Sequence, residues 1–409
     1  MPSPRPDFLA PYQADLDALR GRDRFRALSG RRGLDFASND YLGLSLDPRV
    51  IAAAREAAAE CEEYRESARA ALARGVPLGA GGSRLLRGNH PEHEALEEEA
   101  ARFFGSESAL FFGAGFSANE ALLATLPQRG DLILYDELIH ASAHEGMRLS
   151  RATSHAVAHN DAGAFEEAVR AASGAGRVWI VAESLYSMDG DIAPLETLAG
   201  IAGRHGAFLL IDEAHATGVL GPGGRGLAHR LEGRDNIVTL HTCGKALGLS
   251  GALVCLPRVL REFLINRCRN FIFATAPSPL LAAAIRAALG VIERAGDRRA
   301  ALAERVRRVD EALRRLTDAE PSATHIQPVI VGSDKKALAL AERMQAHGHD
   351  IRAIRPPTVP EGTARLRISL TLNVSDAQTD AMIALLAQEL KRSPSSARFE
   401  GTSVLPDAL

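Results

Sequence analysis

Lysine is scarce in this chain of 409 residues, because only four of its 48 basic residues are lysines. Three of them, Lys335, Lys336 and Lys391, begin or end amphipathic stretches and are typical of surface charges. The fourth, Lys245, follows an apolar run and lies between glycines, with Asp235 as the one charged residue within ten positions. A poorly solvated amine loses its proton easily and can attack a carbonyl, as Schiff-base chemistry requires. The position favours a chemical role for Lys245, and an ordinary turn lysine is the alternative.

Other scarcities limit the class of protein. The four cysteines, at positions 61, 243, 255 and 268, show no C-x-x-C spacing, and the first residues lack the apolar core of a signal peptide. No apolar run approaches the ~20 residues of a membrane-spanning helix. The net charge of -3 argues against a nucleic-acid or acidic-membrane partner. We expect a soluble cytoplasmic protein without a bound metal.

Short apolar runs that alternate with helical patterns predict an α/β protein with a mainly parallel, buried sheet. A loop around 34–44 precedes these runs, and helices are expected before and between them. The predicted strands are 109–112, 132–135, 178–182, 208–211, 237–240 and 252–256, and the predicted early helices are 12–26, 49–73 and 91–104.

The pattern changes after position 277, where long Ala/Leu/Arg helices are predicted at 279–295 and 299–316. A small α+β unit is expected to follow. We therefore expect four parts: an N-terminal arm (1–45), a large domain (46–290), a small C-terminal domain (291–391) and a flexible tail (392–409). The predicted strands of the small domain are 326–331, 351–354 and 364–370, and its helices are 336–347 and 376–390.

Asp212 directly follows the predicted strand 208–211, which puts a carboxylate where open α/β sheets bind their ligands. It precedes Lys245 by one helix–strand unit. In a pyridoxal 5'-phosphate (PLP) site an acid keeps the pyridine nitrogen protonated while a lysine forms an imine with the aldehyde. The pair of residues predicts such a site, and the alternative is an aspartate that caps the next helix.

A glycine turn joins the predicted strand 109–112 to a helix through Gly113, Gly115 and Phe116. Backbone N–H groups at a helix start bind anions, so this turn is a candidate for the cofactor phosphate. The third glycine of a dinucleotide fingerprint is missing, which argues against a nicotinamide enzyme.

Further polar residues follow other predicted strands. His140 comes shortly after strand 132–135, Ser187 follows strand 178–182, and His215 lies three positions beyond Asp212. Each histidine alone is more often a hydrogen-bonded structural residue. Convergence of several strand ends raises the joint probability of an active site.

Four motifs in this order resemble the α-oxoamine synthases, PLP enzymes of fold type I. The resemblance spans about residues 12 to 391 and implies a fold type I transferase with a large domain, a small domain and a homodimer with shared active sites. It implies PLP as cofactor and the condensation of an amino acid with an acyl thioester, carried by coenzyme A or an acyl carrier protein. The motifs are Asn39–Gly43, Ser187–Asp191, Asp212–Gly218 and Thr242–Lys245.

The stretch 353–367 favours the member of the family that condenses L-alanine with a pimeloyl thioester in biotin synthesis. Sibling reactions of glycine or serine with another acyl-CoA are the nearest alternatives. A non-catalytic member of the same fold is a further alternative.

The resemblance also implies roles at the cofactor ring. Lys245 would bind the aldehyde and act as the base, and Asp212 would pair with the pyridine nitrogen. His140 would stack on the ring, while His215 and Ser187 would contact the phenolic oxygen.

The remaining roles concern the phosphate and the amino acid. The Gly115–Phe116 backbone and Thr242 would hold the phosphate, and Thr275 would reach the phosphate of the neighbouring subunit. Asn39 and Arg367 would bind the substrate carboxylate, although two arginines alternating on a strand are usually a solvated face.

Overall fold

The computed structural model describes residues 8–59, 76–172, 174–317 and 320–392 of the chain. The expected flexible tail lies outside the described residues except for position 392, as does the part of the predicted helix 49–73 beyond position 59.

A seven-stranded sheet forms the centre of the molecule, in the order β2-β8-β7-β6-β5-β3-β4. Six strands run in one direction, and β8 runs antiparallel to both of its neighbours. The mainly parallel α/β fold predicted from the sequence is therefore confirmed. The strands are β2 (Ser108–Phe112), β3 (Leu132–Asp136), β4 (Thr153–Val157), β5 (Val178–Glu183), β6 (Phe208–Asp212), β7 (Ile237–Thr242) and β8 (Ala252–Leu256).

Both faces of this sheet are buried, which explains why its strands are continuous apolar runs. In β2, Leu110 and Phe112 face one helix layer, whereas Ala109 and Phe111 face the opposite layer. The first layer contains α4 and α5, and the opposite one contains α3 and α10. The helices of the large sheet are α2 (Pro48–Ala59), α3 (Pro91–Phe104), α4 (Gly115–Thr125), α5 (Ala141–Leu149), α6 (Ala162–Ala171), α7 (Leu195–His205), α8 (Arg258–Arg267), α9 (Arg269–Ile272) and α10 (Pro279–Glu293).

Helix boundaries follow local capping chemistry. Pro91 and Pro279 occupy the first turns of α3 and α10, where the missing N–H costs no hydrogen bond. The Ser278 side chain accepts from the Leu281 N–H at the start of α10. Gly105 ends α3 with φ +87°, a conformation that other residues rarely adopt.

A three-stranded antiparallel sheet forms the second unit, in the order β11-β12-β9. Helices α12 and α13 pack against each other beside it, and α11 leads into it from the large sheet. The N-terminal segment joins this unit through β1, which pairs in parallel with β10. The elements are α1 (Ala10–Gly21), β1 (Leu34–Asp35), α11 (Gly296–Leu316), β9 (Ile326–Gly332), α12 (Asp334–Ala346), β10 (His349–Asp350), β11 (Arg352–Ile354), β12 (Ala364–Ser369) and α13 (Asp376–Arg392).

Two features depart from the sequence-based expectations. Strand β4 was not predicted, because it is an edge strand whose first four residues are exposed and lack an apolar run. Helix α1 ends at Gly21 rather than near position 26. Among the described helices, none combines the length and apolarity needed to cross a bilayer.

Candidate active site

The carboxyl ends of four parallel strands bring polar side chains to one edge of the large sheet. His140 follows β3, Glu183 ends β5, Asp212 ends β6, and Lys245 follows β7. Such a topological switch region is where open α/β sheets place their ligands. The residues predicted from separate strand ends therefore lie together in space.

Two cavities meet at this edge, and both are lined by His140 and Lys245. The first, here called the cofactor cavity, measures about 270 Å³ and contains Asp212. The second, here called the substrate cavity, measures about 310 Å³ and contains Arg367. The remaining side chains of the substrate cavity are Ala37, Asn39, Ser187, Met188, His215, Arg352 and Ile354.

Asp212 is held as an acceptor in the cofactor cavity. Its Oδ2 accepts from Asn119 Nδ2 at 2.6 Å, and its Oδ1 accepts from the Ala214 N–H at 2.9 Å. The carboxylate is buried, with 6% of the residue exposed. Two donors to a buried carboxylate stabilise its charged form, which suits an acid that pairs with a protonated ring nitrogen.

Asn119 extends this network to His140 through Ser142. The second N–H of the Asn119 amide donates to Ser142 Oγ at 3.0 Å, and Ser142 Oγ contacts His140 Nδ1 at 2.7 Å. The Ser142 backbone N–H also donates to His140 Nδ1, which must therefore be the unprotonated nitrogen. Burial lowers the pKa of His140. The result is a neutral imidazole whose proton is on Nε2.

Lys245 Nζ contacts His215 Nε2 at 2.5 Å. Burial lowers the pKa of the Lys245 amine to about 8, against the opposing influence of the Asp212 and Glu183 carboxyls. An amine with this pKa is partly neutral near pH 7, unlike an ordinary lysine. The structure thus supplies the poorly solvated amine that the sequence predicted.

His215 joins Lys245 to the substrate cavity. Its Nδ1 lies 2.6 Å from the Tyr41 hydroxyl, and that hydroxyl donates to Asn39 Oδ1 at 2.9 Å. Because the tyrosine proton goes to Asn39, His215 Nδ1 carries the hydrogen and Nε2 accepts from the lysine. Burial, followed by the charges of Lys245 and Arg367, lowers the pKa of His215 well below its usual value.

Arg367 is buried beside this chain of hydrogen bonds, with 7% exposure. Its Nε donates to the Ser187 carbonyl at 2.6 Å and its Nη1 to Ser369 Oγ at 2.7 Å. Its Nη2 donates to Asn39 Oδ1 at 3.1 Å. The alternative of a solvated arginine face is wrong for this residue, because the guanidinium lies inside the protein.

The glycine turn before α4 forms a cradle with Thr242. A Cβ atom at Gly115 would lie 2.5 Å from Thr242 Cγ2, so only glycine fits there without displacement. Thr242 Oγ1 is buried and has no hydrogen-bond partner. An unused hydroxyl beside the free N–H groups of a helix start fits a phosphate, and both residues line the cofactor cavity together with Phe116.

Two predicted residues differ from the rest in position. Ser187 lines the substrate cavity and not the cofactor cavity. Thr275 is exposed and lines neither cavity of this chain. Its expected contact with a neighbouring subunit stays a prediction.

Sequence reasoning missed four lining or bridging residues: Tyr41, Asn119, Glu183 and Arg352. Asn119 had one available signal, because it is the one polar residue among the buried positions of α4. Glu183 also had a signal, because it is the acidic residue at the end of β5, the strand that pairs with β6. The positions of Tyr41 and Arg352 depend on long-range packing and gave no local signal.

A second polar cluster lies outside both cavities, where Glu232, His241 and Cys255 bring potential ligand atoms within 4.8 Å of one another. Both ring nitrogens of His241 already have partners: Nδ1 contacts Thr217 Oγ1 at 2.8 Å and Nε2 contacts Glu232 Oε1 at 3.0 Å. The Phe104 ring stacks on the imidazole at 3.6 Å. Hydrogen bonds and stacking account for this cluster.

Comparison with known proteins places this site in a family. Residues 31–386 match the model of aminotransferase class I and II. A curated relative, the 8-amino-7-oxononanoate synthase of Chromobacterium violaceum, is 42% identical over 360 residues, which cover 88% of this chain and 90% of the relative.

Solved structures share the fold. A serine palmitoyltransferase from S. paucimobilis with a bound PLP–myriocin adduct matches with a TM-score of 0.83 and 25% identity, covering 95% of this chain and 99% of that one. An 8-amino-7-oxononanoate synthase from Francisella tularensis matches with a TM-score of 0.72 and 27% identity, covering 88% of this chain and 98% of that one.

Proposed function

Because the chain belongs to the class I and II aminotransferase family and, within it, to the 8-amino-7-oxononanoate synthases, which are PLP-dependent acyltransferases, we propose a specific reaction for it. The protein condenses L-alanine with a pimeloyl thioester, releasing carbon dioxide and the free thiol, to give 8-amino-7-oxononanoate for biotin synthesis. The observation that carries this proposal is the similarity to the curated synthase along nearly the whole chain.

The residues of the cofactor cavity fit PLP as the bound group. The turn at Gly115 and the unpartnered Thr242 hydroxyl suit its phosphate, Asp212 suits its pyridine nitrogen, and Lys245 suits its aldehyde. When bound, PLP supplies an electron sink for the pair left at the substrate α-carbon. His140 lines both cavities and would cover the ring face between them.

Lys245 is the proposed base. With a pKa of about 8, about a tenth of its amines are neutral at pH 7, whereas an ordinary lysine is almost fully protonated. The amine takes the proton from the α-carbon of the amino acid. His215 holds Nζ on the side where the two cavities meet and accepts from it through Nε2.

Asn39 and Arg367 bind the substrate carboxylate in the substrate cavity. The guanidinium is fixed by Ser187 and Ser369, so its remaining N–H groups keep a defined direction. A carboxylate held there places the amino group toward Lys245, which lines the same cavity. Orientation of this kind lowers the entropic part of the barrier.

The quaternary and domain organisation completes the proposal. We propose a cytoplasmic homodimer in which Thr275 of one subunit reaches the phosphate of the other, because Thr275 is exposed and lines neither the cofactor cavity nor the substrate cavity of its own chain. We also propose a large domain (46–290) around the seven-stranded sheet and a small domain (291–391) around the three-stranded sheet, preceded by an N-terminal arm (1–45).

A matrix of substrates tests the reaction. L-Alanine, glycine and L-serine are each paired with pimeloyl, acetyl, succinyl and palmitoyl thioesters, the pimeloyl group being offered on both coenzyme A and an acyl carrier protein. Release of free thiol that depends on L-alanine and a pimeloyl thioester supports the proposal. Preferential turnover of glycine or serine with another acyl group would assign the chain to a sibling reaction.

A further inference from the structure

Glu183 and Asp212 form a pair of buried carboxyls on the floor of the cofactor cavity. They end the neighbouring parallel strands β5 and β6, and they are direct partners in the register of the sheet. Only 3% of Glu183 and 6% of Asp212 is exposed. Side chains of paired residues point to the same face of a sheet, so the two carboxyls share one low-dielectric space. Two carboxylates in such a space repel each other, so the second ionisation costs free energy.

Hydrogen bonds reach the two carboxyls differently, because the backbone N–H groups of Ser187 and His140 act on Glu183 but leave one of its oxygens without a donor. Both oxygens of Asp212 accept hydrogen bonds, one from Asn119 and one from Ala214. Glu183 Oε1 is buried and has no partner in the described structure. Donors favour the ionised form of a carboxyl, and an oxygen without a donor favours the protonated form.

We propose that Glu183 is a protonated positioning residue in the resting enzyme, which keeps the negative charge of the pair on Asp212 and offers its own O–H to the cofactor cavity. No sequence motif indicated Glu183, and its proposed action is through Asp212 and the cofactor cavity. The consequence for catalysis rests on the proposed function, whereas the protonation of Glu183 is measurable without any substrate.

The surrounding groups agree with this assignment. Burial raises the pKa of Glu183 to about 8, and the charge of Asp212 acts in the same direction, while the Lys245 ammonium opposes them. The backbone N–H groups of Ser187 and His140 also oppose the increase. Below pH 8 the Glu183 carboxyl is therefore neutral, and it ionises as the pH rises through 8.

Infrared spectroscopy of the full chain tests the proposal directly, in both cofactor-free and PLP-loaded protein. The carbonyl stretch of a protonated carboxylic acid is followed from pH 6 to 10. All measurements are made in a Glu213→Gln background, because Glu213 is also buried, its pKa is raised to about 8 by that burial, and its own acid band would overlap. In this background we expect a band that persists at pH 7, disappears near pH 8 and is lost when Glu183→Gln is added. Glu213 lies outside the cofactor cavity, so its replacement leaves the lining of that cavity intact.

A second variant, Asp212→Asn, distinguishes the effect of the Asp212 charge on the Glu183 pKa from the effect of burial. In Asp212→Asn the neighbouring charge is absent, so the Glu183 band should titrate at a pH lower by about one unit or more. A band that keeps its midpoint in Asp212→Asn would overturn the pairing. With Glu213→Gln present, a band at pH 7 that survives the addition of Glu183→Gln, or no such band before that addition, would overturn the protonation.

Failure of the proposed function can be distinguished from failure of the proposal for Glu183. Glu183→Gln keeps a neutral donor of similar shape and should retain PLP absorbance near that of the native protein at pH 7, whereas Glu183→Ala should alter both its intensity and its pH dependence. If alanine-dependent thiol release is absent from the native protein, the proposed function fails while the infrared result stands.

Discussion

Lys245 should make the cofactor-free protein less stable at neutral pH, and its replacement by methionine should reveal the cost. The folded-state pKa of about 8 lies below the usual 10.5, so the unfolded chain binds more protons than the folded one between these values. The difference corresponds to about 3 kcal/mol. This is an upper limit, because the amine lines an open cavity where water reduces the penalty.

The sign of the effect follows from proton linkage. Below pH 8 the amine is protonated in both states and the full cost is present. As the pH rises from 8 to 10.5, the folded amine is neutral while the unfolded one still binds a proton, so the stability of the native sequence rises. Lys245→Met lacks this slope. We therefore expect the variant to be more stable than the native sequence below pH 8, by up to about 3 kcal/mol, with an advantage that fades toward pH 10.5.

Urea denaturation of cofactor-free protein, at fixed protein concentration and at a series of pH values from 6.5 to 10.5, measures this difference. Any change in packing from the methionine itself adds an offset that does not depend on pH. Lys335→Met is the matched control, because Lys335 is exposed and its replacement should leave the pH dependence unchanged. An advantage of Lys245→Met that stays constant across the pH range would refute the reasoning.

Three further predictions concern the cavity and its support. Gly115→Ala should weaken PLP binding by about 1–3 kcal/mol, because its Cβ would press on Thr242. Gly203→Ala in α7, whose Cβ meets no atom within 4 Å and which lines neither cavity, should leave binding unchanged, as fluorescence titration would show. Asp212→Asn should slow exchange of the alanine α-hydrogen with solvent deuterium far more than it lowers PLP occupancy, and equal losses would contradict its role at the ring nitrogen. Glu97→Ala should lower the free energy of unfolding by about 3–5 kcal/mol, because its buried carboxylate accepts from Arg84 and Arg261. Urea denaturation checks this, and the control is the same substitution at a surface glutamate of α3.

Much of the fold was predictable because its strands are buried on both faces. Such strands are continuous apolar runs, and residues at or shortly after their ends, such as Asp212 and His140, come to the same end of a parallel sheet. Strand β4 could not be predicted in this way, since it lies at the sheet edge with exposed side chains. The antiparallel direction of β8 depends on its two partners and has no signature in its own residues.

The parts of the site that escaped prediction depend on contacts between distant segments. Tyr41 lies 174 positions from its partner His215, and Asn119 lies 93 positions from Asp212. No spacing along the chain reports such pairs. Local motifs indicated candidate residues for the chemistry, but the side chains that set the tautomers and charges of those residues required the folded structure.

The hydrogen bonds of Arg367 have a consequence for substrate selection. Its guanidinium is already immobilised by Ser187, Ser369 and Asn39, so a bound amino acid loses little additional rotamer entropy from the protein. An amine of the same size without a carboxylate would leave a buried cation unneutralised, and that electrostatic cost is a barrier to its entry. On the proposal that Arg367 binds the substrate carboxylate, we therefore expect its fixed guanidinium to disfavour decarboxylated amines.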